Sequence, residues 1–150
     1  MKEFPEHKKN PITRCFGPTN PKDDQGGTLP RLFYFCKPDH RKNARSDPKK
    51  TRWILTENQE YEVFRYADET LNVGHDGEML GFYNSEGGSL EILGENDEMV
   101  AKFPKPQNVK DPWHGYPTRR YEFQVQDLDR WVASQVITET IKKRLLKGVL

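Results

Sequence analysis

A chain of 150 residues allows one domain with a real core. Apolar residues at 33% and charged residues at 31% make it polar for a globular protein, but 11% aromatics exclude a disordered chain. Two cysteines are too few for a disulfide scaffold. The first residues lack the apolar core of a signal peptide, and no apolar run approaches the ~18 residues of a membrane span. A cytoplasmic protein with no membrane association is therefore expected.

Residues 1–11 carry Pro5 and Pro11 and read as a flexible arm. Ile12–Phe16 alternates apolar and polar residues, a short strand pattern. The stretch from Gly17 to Pro30 is rich in Pro, Gly and Asp and reads as a long loop. Arg31-Leu32-Phe33-Tyr34-Phe35-Cys36 has the density of a strand buried on both faces. The stretch from Lys37 to Arg52 is the most basic loop, with Arg41, Lys42, Arg45, Lys49 and Lys50 within it.

Trp53–Thr56 and Tyr61–Tyr66 predict two strands joined by a turn at Glu57–Glu60. Leu71–Val73 is a further short strand candidate. Met79–Tyr83, Leu90–Leu93 and Met99–Phe103, separated by turn-rich connections, predict an antiparallel meander. Tyr121–Val125 alternates like an edge strand. Asp127 is the expected N-cap of a first helix carrying Leu128, Trp131, Val132 and Val136. The apolar stripe breaks near Ile137, and Thr138 is placed to cap a second helix that ends at Gly148. The expected fold is α+β: a bent antiparallel sheet of about six strands and two C-terminal helices. The chain is one domain, with a β-rich body over 12–125 and a helical C-terminus over 127–148.

Charge is unevenly laid out. Residues 1–56 carry 13 basic and 6 acidic side chains, a balance of +7; residues 57–98 stand at −11 and residues 99–150 at +5. Such segregation suits either a basic binding face or a fold in which the two ends pack around the acidic middle and neutralise it.

No motif in the chain dictates chemistry. There is no Gly-x-Ser-x-Gly elbow and no phosphate-binding glycine loop. His7, Cys15, Cys36 and His40 are four potential zinc ligands, but compact zinc sites pair their ligands at short spacing. The expectation is no metal and no cofactor. The order Gly17-Pro18, then Arg31-x-Phe33-Tyr34-x-Cys36, resembles part of a GRF-type zinc finger. That family needs a further N-terminal cysteine and a later one, both absent, so its single-stranded nucleic-acid binding is not carried over.

Attention falls on Lys110–Tyr121, which joins the strand-like region to the helices. Packing explains Trp113, Gly115, Tyr116 and Pro117 as a clasp in which His114 satisfies a local hydrogen bond. It does not explain His114 beside Arg119 and Arg120. Trp, Tyr and Arg anchor interfaces, so Trp113, His114, Tyr116, Arg119 and Arg120 predict a surface for another protein. On that reading the chain is a non-catalytic, regulatory or antitoxin- or immunity-like module.

The alternative is nucleic-acid binding through Arg41, Lys42, Arg45, Lys49, Lys50, Lys142, Lys143 and Arg144. Its enzymatic form is a metal-independent RNase. There His114 moves a proton, Arg119 and Arg120 stabilise phosphate charge, and Tyr116 stands beside them. A second acid or base would come from elsewhere, with His75 or Glu78 as options.

Overall fold

Thr56 starts the main helix. Its hydroxyl accepts from the Gln59 N–H, and the Gln59 side chain accepts from the Thr56 N–H, so two donors that a helix leaves unpaired are satisfied. The computed structural model describes residues 6–23, 25–41, 51–70, 73–74, 77–83, 90–118 and 123–147. In it this capping box opens helix α1, Glu57–Glu69. The expected turn at Glu57–Glu60 and strand at Tyr61–Tyr66 are therefore one helix. Glu60, Phe64 and Ala67 fall three to four residues apart and are all buried, which is helical spacing.

The expected sheet of about six strands is corrected as well. Among the described residues the sheet has three antiparallel strands: β1 (Met79–Gly81), β2 (Val100–Phe103) and β3 (Tyr116–Thr118), in the order β1-β2-β3. The other strand candidates reach at most single bridges. Asn10 accepts from the N–H groups of Ile12 and Thr13 and closes a turn there. Arg14, at φ 59°, bends the chain away from an extended path. Only Phe16 then pairs, with Tyr34. Tyr34 also bridges Trp113 in parallel, Trp53 bridges Gly94, and Val73 bridges Met79. Leu93 sends its N–H to Glu98 and its carbonyl to Ile54, so no regular ladder forms along Leu90–Leu93. Leu71, Asn72, Tyr121 and Glu122 lie outside the described residues.

Two C-terminal helices are present. Helix α2 spans Val125–Ala133 with Gln124 at the cap position, three residues before the expected cap Asp127; Asp127 instead sits in the first turn, where the helix dipole favours negative charge. Gln135 adopts a left-handed φ of 64°. Helix α3 spans Glu139–Lys147, and Thr138 Oγ1 accepts from the Ile141 N–H at 3.2 Å, as its capping role required. Gly148 is outside the described residues. Among the described residues no helix is long and apolar enough to cross a membrane.

The pleat sorts the sheet into two faces. Met79 pairs with Phe103 and Gly81 with Ala101; Met79, Ala101 and Phe103 join Phe64, Tyr34 and Trp53 in one core beneath α1. Leu80 and Val100 point the other way and join Leu128, Trp131, Ile141 and Leu145 of α2 and α3 in a second core. The sheet is thus a thin partition between α1 and the C-terminal helix pair. Strand β3 is at its edge, where Pro117 is tolerated because a proline lacks the N–H that a central strand would use.

Gly115, just before β3, is fixed by packing. Its carbonyl accepts from Trp53 Nε1–H at 3.1 Å. A Cβ added there would lie 2.6 Å from the Lys102 carbonyl oxygen and against the Phe103 ring. Gly115→Ala is expected to destabilise the protein by about 1–3 kcal/mol through overpacking, read as a lower urea midpoint; an unchanged midpoint would show that β3 yields at this position.

Candidate functional site

The acidic middle is met by the basic ends. Lys9 Nζ lies 2.6 Å from Glu57 Oε2 and Arg41 Nη1 lies 2.5 Å from Glu60 Oε1. His7 pairs with Glu62, Lys102 with Glu78 at 2.6 Å, and Arg52 with Glu95 at 3.9 Å. Five acidic side chains of residues 57–98 are therefore paired with basic side chains from outside that stretch.

Glu60 is the deepest of these carboxylates, 1% exposed. Tyr34 Oη donates to its Oε2 at 2.5 Å and the Arg41 guanidinium to its Oε1. Burial pushes its pKa up to about 7, although the Tyr34 and Arg41 hydrogen bonds pull the other way. Burial and the Glu60 charge also raise Tyr34 well above a normal phenol and hold the Cys36 thiol in its neutral form. Arg41 Nη2 further donates to the Leu55 carbonyl at 2.8 Å. The backbone immediately after His40 is thereby tied to α1.

His40 ends a single 3-10 turn, Pro38–His40. Its carbonyl accepts from the Trp53 N–H at 2.8 Å, and its Nδ1–H donates to the Thr51 carbonyl at 2.7 Å. The ring is thereby set in one tautomer. It stacks on Tyr116 with centroids 5.3 Å apart and planes 22° from parallel. The chain from His114 to Thr118 alternates: Gly115 and Pro117 are buried, while His114, Tyr116 and Thr118 are half-buried. Alternate residues of an extended chain share a side, so His114 and Tyr116 face the same way. Lys37 arrives beside them because the Tyr34–Trp113 bridge and the Phe35 N–H to Trp113 carbonyl bond lay the two segments side by side. Lys37 and His40 are both close enough to His114 to act on its charge. Desolvation first, then Lys37 and His40, hold the His114 pKa below its ordinary value. Burial raises Tyr116.

The structure brings Lys37, His40, His114 and Tyr116 together on one face. His114 does not satisfy a local hydrogen bond as the clasp reading required; its Nδ1 is buried and has no partner among the described residues. Lys37 and His40 are the members of this face that sequence reasoning did not group with His114; only the tertiary pairing of Tyr34 with Trp113 joins them. Trp113 packs on the main core with its ring 5.9 Å from Phe64, so it supports the face from beneath. Glu78 is held by Lys102 at 2.6 Å; Lys102 is the β2 residue paired with Tyr116 of β3, and Glu78 lies on the β1 side of β2.

Other candidates go elsewhere. Arg41 is committed to Glu60. Lys142 on α3 pairs with Asp129, and Lys143 and Arg144 on the same helix are exposed. Lys42, Arg45, Lys49, Lys50, His75, Arg119 and Arg120 lie outside the described residues. The four potential zinc ligands have separate partners: His7 has Glu62, Cys15 Sγ the Thr13 carbonyl, Cys36 Sγ the Glu57 carbonyl, and His40 Tyr116 and Thr51. Among the described residues no group of three or more His, Cys, Asp or Glu is placed to hold a metal ion.

No family model matches the chain, and no curated protein or solved structure matches it. The side chains of the Lys37–Tyr116 face are the ground for a functional reading.

Glu60 gives a pH test of the framework behind that face. Its folded pKa stands above the unfolded value, so its stabilising contribution is complete below about 4.5 and is lost as pH rises through about 7. Wild type is expected to lose about 3 kcal/mol over that window relative to Glu60→Gln, since one pKa unit is about 1.4 kcal/mol. Glu62 titrates in the opposite sense, lowered because Arg65 and His7 outweigh its burial, but it is common to both proteins and cancels. Urea unfolding from pH 4 to 8.5 checks this; parallel curves would contradict it.

Proposed function

We propose that this protein binds single-stranded RNA through the face formed by Lys37, His40, His114 and Tyr116. The observation that carries the reading is the His40–Tyr116 stack, placed beside His114 and Lys37. Flat rings on a half-buried surface suit base stacking, and a lysine with two imidazoles suits a phosphate. In sequence, each ring of the stack lies close to a basic stretch. The Lys37–Arg52 run continues from His40, and Arg119-Arg120 follow Thr118 directly. The acidic middle, which would repel a phosphate backbone, is in good part neutralised by ion pairs within the fold.

A protein partner, which composition favoured, keeps one supporting observation. Phe33 is 45% exposed and borders the site, since its carbonyl accepts from the Trp113 N–H. Trp113 itself, the intended anchor, packs on the core.

Fluorescence anisotropy with a labelled 15-nucleotide RNA separates the two. Tyr116→Ala is expected to weaken binding about tenfold, since losing one base stack costs about 1–3 kcal/mol. Lys37→Ala is expected to weaken it and to flatten the dependence on salt. Binding that ignores both substitutions, or no binding at low salt, would return the face to the protein-partner reading.

A further inference from the structure

We infer that His114 and His40 form an acid–base pair that cleaves the RNA held on this face, an inference resting on the RNA-binding reading above. RNA carries its own nucleophile, the 2′-hydroxyl next to each phosphodiester. Cleavage then needs a base, an acid and a cation, correctly placed. The face supplies these three. His114 is half-buried on the same side of its extended segment as Tyr116, on which His40 stacks, and desolvation with the nearby Lys37 and His40 favours its neutral imidazole. Its Nδ1 is enclosed and without a partner among the described residues, so proton exchange is assigned to Nε2. His40 has its Nδ1–H committed to the Thr51 carbonyl. In its protonated form the proton it delivers is therefore the one on Nε2.

The step balances as follows. His114 Nε2 takes the 2′-hydroxyl proton, and O2′ forms a bond to the adjacent phosphorus. The bond from phosphorus to O5′ breaks with its electron pair on O5′, which takes the Nε2 proton of His40. The products are a 2′,3′-cyclic phosphate and a 5′-hydroxyl end. Lys37 offsets charge on the non-bridging oxygens. Nothing is oxidised or reduced, and the two histidines return to their starting protonation by exchange with water. The other titratable or charged groups around the pair are Tyr116, stacked on His40, and Lys102, whose backbone pairs with Tyr116 and whose ammonium is taken up by Glu78. Arg41, next to His40, is held by Glu60. The earlier options for a second proton-transfer group, His75 and Glu78, are not needed.

The test uses the full chain with a labelled RNA and its all-2′-O-methyl analogue, both in the presence of EDTA. Wild type is expected to bind both, cleave only the RNA, and leave a cyclic phosphate identified by mass. His114→Gln and His40→Gln are each expected to slow cleavage of the bound RNA about 100-fold or more, a loss far larger than the change in their affinity for the methylated analogue. Each variant is expected to lose a different limb of a bell-shaped pH–rate profile. Binding of the methylated analogue also reports that each variant is folded. Binding without cleavage by wild type would overturn this inference and leave the RNA-binding reading standing. Absence of binding would remove both. Cleavage that survives both substitutions, or that EDTA abolishes, would also overturn the pair.

Discussion

A carboxylate with almost no access to water organises this fold. Glu60 lies on the buried face of α1, between the Tyr34 hydroxyl and the Arg41 guanidinium. Removing a charge from water is costly unless it is paired and hydrogen-bonded, so the segments that carry those partners are held where Glu60 needs them. Tyr34 brings the aromatic run, which bridges Phe16 on one side and Trp113 on the other. Arg41 brings the turn that carries His40. One helix residue thus fixes two long non-regular segments at the sheet edge, and their meeting point is where His40 stacks on Tyr116.

The same logic explains the charge layout. The segregation of +7, −11 and +5 along the chain looks like a surface device until the ion pairs are traced. Lys9, His7, Arg41, Arg52 and Lys102 then meet Glu57, Glu62, Glu60, Glu95 and Glu78. The pairs of Lys9, Arg52 and Lys102, in which both partners keep access to water, contribute little individually. Their collective effect is to dock the N-terminal residues on α1 and to mask the negative region. The cations grouped near His114 then matter more than the overall charge suggests.

Some of this was legible beforehand. The α+β class, β1, β2, the two C-terminal helices and the Thr138 cap follow from period, turn residues and capping chemistry. Helix α1 was missed because Tyr61-Glu62-Val63 alternates like a strand and the run through Tyr66 is rich in aromatic residues. The Thr56-x-x-Gln59 capping box argued for a helix in the same residues, and it won because the helical face buries Glu60, Phe64 and Ala67 together. Excess strands were counted where aromatic density is real but backbone pairing is single. Tyr34 and Trp53 are fully buried, yet each makes isolated bridges because turns and prolines interrupt their neighbours. In the candidate site, His114 and Tyr116 were visible as an oddity of local sequence. Lys37 and His40 were not, because the contact that joins them crosses from one end of the chain to the other and leaves no spacing signal.

If His40 and His114 share one ligand face built on the Glu60 framework, one bound ligand must perturb both rings. Histidine-selective nuclear magnetic resonance, during titration with a 2′-O-methyl oligoribonucleotide that cannot be cleaved, tests it most directly. The His40 and His114 imidazole signals should move together and saturate at one concentration, while His7, committed to Glu62 on α1, stays in place. Movement of neither ring, or of His7 as much as the other two, would contradict the account.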